Sequence, residues 1–337
     1  MTLDLRKLQQ SLSKYAAAPL YFLVGADEYM VDEALAAIKA KVVTEGMDDF
    51  NFNSFSGTDT KGAKILDHVE TLPMMSEMRM VLVKRAESLK EKDWEILAPI
   101  LEEVVETCSL VFVFNKIDKR KKFYKLAQKK GVIIDLKTPY DNQIPSWIEY
   151  IAGQNKVSLS GEATAILFQL VGNHLIEVKN ELIKLRSFKQ KNKDSDEVVK
   201  VTKEDVLQVV SKSKFENVFE LTKALGQRDR GQALYFLAQL LDSGQNEIAT
   251  LALVKRHMRI LSHVKKALNS GLAHSQLGST VGVPQFFVKE YTSQATKWSD
   301  QKINLTINAL KNTDMALKSS PISSHIWLEN FIIKSCE

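Results

Sequence analysis

The chain has 337 residues, 45% of them hydrophobic and 26% charged, which supplies enough apolar side chain for packed cores in two or three domains, the composition of an ordinary globular chain. Its two cysteines, Cys108 and Cys336, lie far apart in sequence, which argues against a disulfide framework or a zinc cluster and fits a reducing compartment. The net charge of +5 is uneven: residues 1–140 sum to zero, 141–210 to −1 and 211–337 to +6, so any polyanion is expected against the last third.

Residues 1–14 mix Asp4, Arg6 and Lys7 with leucines and lack the apolar centre of a signal peptide. No apolar run approaches the roughly 18 residues of a membrane span. A cytoplasmic protein with no membrane partner is expected.

Pro19-Leu20-Tyr21-Phe22-Leu23-Val24 reads as a buried strand that turns at Gly25 into Ala26-Asp27-Glu28 and a helix, where a nucleotide-binding fold places its phosphate cradle. A phosphate loop needs several glycines and a Lys followed by Ser or Thr. Here there is one glycine, two acids that would repel phosphate, and no Gly-Lys pair in the chain. No cofactor is expected, and function is to be sought in contact surfaces.

Tyr29 to Val43 is helical, with Met30, Ala34, Ile38 and Val42 recurring every four residues. After a further helix and the segment Thr71 to Met78, three more strands follow: Met80 to Val83, Leu110 to Phe114 and Val132 to Ile134. Continuous apolar strands separated by helices predict a parallel sheet covered on both faces. Near Thr138-Pro139-Tyr140-Asp141 this pattern stops and only helical periodicity is read beyond it. Helices are expected over Ile144–Gln154, Ser160–Val171 and Leu175–Phe188, then a charged loop over Lys189–Lys200 and a fresh helix start at Thr202. A second linker is placed at Ser211–Lys214, and from Phe215 onward a bundle of five or six helices, with stops at Gly226, Gly244, Gly271 and Gly282 and a start at Pro284. The fold class is α/β plus all-α, divided 1–140, 141–212 and 213–337.

Several constellations carry possible chemistry. Asn115-Lys116-Ile117-Asp118 matches the guanine-reading pattern, but without a phosphate loop it reads as polar residues after a strand. Eight basic residues between Lys116 and Lys130, with Phe123 and Tyr124 among them, suit a phosphate backbone; the plainer reading, which we favour, is a solvated helix burying Phe123 and Leu126. In the last third, Leu251, Val254, Met258, Leu261, Val264 and Leu268 define a buried helix face, and Lys255, Arg259 and Lys266 fall within about 40° of one another opposite it, a stripe open to DNA or to a neighbour's acids. The adjacent Met74 and Met75 point about 100° apart on any helix, so one or both are open to solvent, suited to a partner's pocket, or else tucked under the domain. The six histidines show no zinc-ligand spacing, His68-Val69-Glu70 lacks a Pro-Cys-x-x-Cys partner, and there is no Gly-x-Ser-x-Gly elbow.

With these residues in view, the chain resembles the family of delta subunits of the bacterial DNA polymerase III clamp loader. The anchors are Tyr21 to Glu28, Thr71 to Met75 followed by Arg79 to Val83, Val111 to Lys116 with Asp118 and Arg120 to Lys122, then Gly172-Asn173, Glu181 to Leu185, Val218-Phe219 and Val254-Lys255-Arg256. The resemblance implies an AAA+ module, a parallel-sheet domain with a small helical lid, followed by a helical collar in a five-subunit ring. It implies no catalytic site, since Lys84-Arg85 stand where related ATPases carry two magnesium-binding acids. It also implies that a short helix bearing Met74 and Met75, its entry supported by Leu72 and Pro73, enters a pocket of the beta sliding clamp and helps open it. The implied partners are that clamp, the gamma/tau ATPase and delta-prime subunits, and primed DNA, for which Lys255, Arg259 and Lys266 are candidates. Two rival readings are an NTPase with an unconventional phosphate loop and a stand-alone DNA-binding replication or repair factor.

Overall fold

The computed structural model describes residues 2–190, 197–210, 215–244, 246–283, 285–320 and 323–337. It divides into two compact units, residues 1–138 and 139–337.

The first unit is built on a six-stranded parallel sheet. Its strands are β1 (Thr2–Leu3), β2 (Leu20–Val24), β3 (Phe52–Ser56), β4 (Arg79–Lys84), β5 (Cys108–Phe114) and β6 (Val132–Asp135), in the order β1-β6-β2-β5-β4-β3. Its helices are α1 (Leu5–Lys14), α2 (Glu28–Val42), α3 (Asp48–Asn51), α4 (Gly62–Glu70), α5 (Glu91–Glu102) and α6 (Lys122–Lys130). The central strands are the continuous apolar runs, and all seven residues of β5 are buried, as a sheet covered on both faces requires. Because side chains alternate across a sheet, Phe22, Val81, Val83, Phe112 and Phe114 share one core with Ile65 and Val69 of α4, Leu97 and Leu101 of α5 and Ala127 of α6. The thiol of Cys108 is sealed in β5, and burial pushes its pKa up to about 12, so it is held as an inert protonated thiol.

Elements here that were not expected include β1, α1, α3 and β3. Helix α1 is capped by Asp4, whose side chain accepts from the Lys7 N–H at 2.8 Å, and it buries Leu5, Leu8 and Leu12. Strand β3 is an edge strand, half-buried and polar.

The second unit holds α7 (Ile144–Gln154), α8 (Gly161–Val171), α9 (Leu175–Lys189), α10 (Lys203–Val210), α11 (Phe215–Gly226), α12 (Arg230–Asp242), α13 (Glu247–Asn269), α14 (His274–Val281), α15 (Gln285–Thr296), α16 (Asp300–Ser319) and α17 (Ser324–Cys336). Two expectations need correction. The region is not purely helical: β7 (Val157–Leu159) pairs in parallel with β8 (Val199–Val201), so the end of the supposed charged loop is a strand. And seven helices, not five or six, are described from Phe215 onward. The linker expected at 211–214 and the helix start at Pro284 lie outside the described residues.

Ser160 caps α8, its hydroxyl accepting from the Ala163 N–H at 3.1 Å. Helix α13 is the spine of the C-terminal helices and packs against α11, α14, α15, α16 and α17. Its buried face holds Leu251, Val254, Met258, Leu261 and Val264, with Leu268 only half-buried.

Candidate functional site

Between α4 and β4 the chain makes a loop of bends over residues 71–78. The helix expected around Met74 and Met75 is absent. Met75 instead takes φ +50°, a left-handed conformation that costs a side-chain-bearing residue roughly 1 kcal/mol or more. The loop points its apolar side chains outward: Leu72 is 75% exposed, Met74 48% and Met75 79%, with Pro73 half-buried. Large apolar groups grouped at one exposed tip are the pattern of a protein-contact site.

The backbone beneath this tip is held firmly. Asn51, the last residue of α3, is fully buried. Its side-chain amide donates to the Met74 carbonyl at 2.8 Å and to Ser76 Oγ at 3.0 Å, and its Oδ1 accepts from the Met74 N–H at 2.8 Å. Ser76 Oγ also bonds Thr44 Oγ1 at 2.9 Å. At the entry, Thr71 Oγ1 donates to the Asp67 carbonyl at 2.6 Å, and the buried Arg79 guanidinium donates to the Thr71 carbonyl and to Asn53 Oδ1. Sequence reasoning missed Asn51 and Asn53 as supports. The one available signal was Arg79, a cation opening an otherwise apolar strand, which has to find buried acceptors.

The turn after β2 is occupied by protein groups. The Gly25 N–H donates to the Phe114 carbonyl at 2.9 Å, and a Cβ on Gly25 would stand 2.0 Å from the Leu136 carbonyl oxygen. The glycine is there to let two backbones approach. Helix α2 begins at Glu28, and the buried Asp27 carboxylate caps it, accepting from the Met30 N–H at 3.1 Å. A helix N-terminus attracts anions through its free N–H groups and its dipole; here a side-chain carboxylate already fills that role.

At the end of β5, Asn115 is exposed and donates to Glu87 at 3.0 Å. Asp118 accepts from the Arg120 backbone N–H and from its guanidinium at 3.0–3.1 Å, and these bonds hold its carboxyl down at about 2. Both carboxylate oxygens are engaged by the guanidinium in an exposed pair within the loop. Within α6 the deeply buried residues are Tyr124 and Ala127, while Phe123 and Leu126 are half-buried. Phe123 stacks on Trp94 at 4.0 Å between ring centroids and 11° between planes. A groove of about 530 Å³ between α5 and α6 sets Glu87, Glu91 and Glu95 against Lys116, Lys121 and Lys122, a mixed rim unsuited to a polyanion.

On α13, Lys255, Arg259 and Lys266 are all exposed, as the spacing requires. Arg259, however, is ion-paired with Asp141. Its neighbour Arg256 turns inward, lies 3.7 Å over the Phe168 ring and donates to the Phe168 carbonyl at 3.1 Å. Among the described residues no helix is long and apolar enough to cross a membrane.

Comparison with known proteins gives a consistent result. Residues 21–137 match the family model described as DNA polymerase III, delta subunit, and residues 215–335 match that of the DNA polymerase III delta subunit, C-terminal domain, together more than two thirds of the chain. The chain is similar to DNA polymerase III subunit delta of Bacillus subtilis, 28% identical over 336 residues, covering 96% of this chain and 95% of the relative. Among solved structures it is similar to the Bacillus subtilis DNA clamp loader delta protein (YqeN), with TM-score 0.60, 26% identity, and coverage of 98% of this chain and 99% of the other.

Proposed function

The chain belongs to the DNA polymerase III delta subunit family, a component of the clamp loader, and from that premise we propose that it binds the beta sliding clamp and opens its ring for loading onto primed DNA. The observation that carries this reading is the tip at Leu72, Met74 and Met75: exposed apolar side chains on a backbone tied down by the buried Asn51 amide. Methionine side chains are flexible and polarizable, and they fill an irregular apolar pocket well. A partner shifts an equilibrium only by its different affinity for two states, so the tip opens the clamp to the extent that its pocket fits better when the ring interface is parted.

In this reading the first 140 residues form an AAA+-type domain, 141–212 its helical lid and 213–337 a collar. The collar joins this chain to gamma/tau ATPase and delta-prime subunits, and the complex works in the cytoplasm. The chain itself carries no catalytic site. The Asp27 cap on α2 supports that part, since a phosphate there would meet a carboxylate. Lys255 and Lys266 are the DNA-facing candidates, with Arg259 a weaker one because Asp141 already holds it.

The test is gel filtration of the full chain with the sliding clamp of the same organism. Met74→Asp combined with Met75→Asp is expected to abolish co-elution with unchanged far-UV circular dichroism. Undiminished co-elution overturns the site.

A further inference from the structure

Asn51 is fully buried and polar, stands immediately before the edge strand β3, and directs three side-chain hydrogen bonds, both amide donors among them, at the loop that follows α4. An asparagine amide offers two donor hydrogens and one carbonyl oxygen. Here the oxygen takes the Met74 N–H, and the nitrogen gives to the Met74 carbonyl and to Ser76 Oγ. The side chain thus closes on both polar groups of a single residue, as a neighbouring strand does in a sheet ladder. The next residue, Met75, is in the left-handed region at φ +50°. Strained backbone of this kind persists only where its surroundings over-determine it.

We propose that Asn51 is the positioning residue of the tip: its amide locks the Met74 peptide so that Met74 and Met75 are presented to the clamp pocket in one conformation before the partner arrives. This rests on the clamp-binding reading above. The clasp itself is testable in the free chain. Ordering the loop in advance removes an ordering cost from association, so the expected benefit lies in affinity. Asn51 touches no partner in this scheme and acts only through the two methionines.

Two measurements on the full-length chain decide it. In the free protein, the Met74 amide should exchange with deuterium at least ten-fold more slowly than an unstructured amide, and Asn51→Ala should erase that protection while thermal unfolding remains cooperative. Second, a double-mutant cycle of Asn51→Ala with Met75→Ala is titrated with the purified sliding clamp of the same organism. Asn51→Ala is expected to weaken binding about ten-fold when Met75 is present and by a clearly smaller factor when it is absent, since only Met74 then gains from the clasp. An equal loss in both backgrounds, no loss in either, or an unprotected Met74 amide in the wild type overturns the proposal. Clamp binding that depends on Met75 but not on Asn51 overturns this inference alone. A wild-type chain that does not hold the clamp overturns the underlying reading and this one with it.

Discussion

Two surfaces of this chain were candidates for contact, and they are built in opposite ways. The loop at Leu72–Met75 has its main chain pinned at Met74 by Asn51, with Arg79 holding the Thr71 carbonyl at its entry, and leaves its apolar side chains open to water. The face of α13 displays Lys255, Arg259 and Lys266, yet Arg259 is already spent on Asp141. An exposed charge is solvated and loses little by having no partner, whereas grouped exposed apolar area gains free energy when covered. The difference teaches where to look for a docking site: at apolar side chains left uncovered on a backbone that is pinned from within.

The widest gap between the two surfaces should appear in clamp affinity. Replacing Met74 and Met75 with aspartates places charge in an apolar pocket and is expected to cost at least about 100-fold, roughly 2.7 kcal/mol. Lys255→Ala with Lys266→Ala should leave clamp affinity within about two-fold by the same titration. Comparable losses from both pairs would break the comparison.

A smaller effect is expected in what supports the charged face. On the inner side of α13, His257 is buried, bonds the Tyr291 hydroxyl through Nδ1 at 3.1 Å, and is pushed by burial down to about 4 from an ordinary value of 6.5. Because the folded state holds the lower pKa, protons favour the unfolded chain. The contribution of His257 is therefore whole above about pH 6.5 and declines as pH falls toward 4. By pH 5 the loss is about 2 kcal/mol, and urea unfolding of wild type against His257→Gln should show it as a slope that the variant lacks. Parallel pH profiles would contradict it.

The smallest effect is expected in the salt dependence of primed-DNA binding by the assembled complex. Lys255→Ala and Lys266→Ala should each reduce the slope by about 1, and Arg259→Ala by less, because its charge is engaged with Asp141. An Arg259 effect as large as the lysines' would mean that the ion pair opens on DNA.

The central strands were legible because a strand buried on both faces leaves an unbroken apolar run, as Val111 to Phe114 does. Helix α1 carries its signal locally, with Asp4 as cap and Leu5, Leu8 and Leu12 at helical spacing. Strand β3 carries Asn53, Ser54 and Ser56 because it is an edge, and β7 and β8 are three-residue strands joined across some forty residues, so neither left a periodic signal. Adjacency left the methionine pair open between exposure and a place tucked under the domain, because the 100° argument presumed a helix and residues 71–78 form a loop of bends. Its support was not legible, because the Asn51 clasp is a contact across 23 residues between a buried amide and a backbone, and no local pattern encodes that.

The central claim is that the tip at Met74 and Met75 is where the clamp docks. Methyl-labelled methionine NMR of the full chain tests it most directly, because Met315 on α16 is 61% exposed and serves as an internal control. On adding the sliding clamp, the methyl signals of Met74 and Met75 should shift or broaden while those of Met315 and the buried Met258 stay in place. Unmoved Met74 and Met75 signals at saturating clamp would contradict the account.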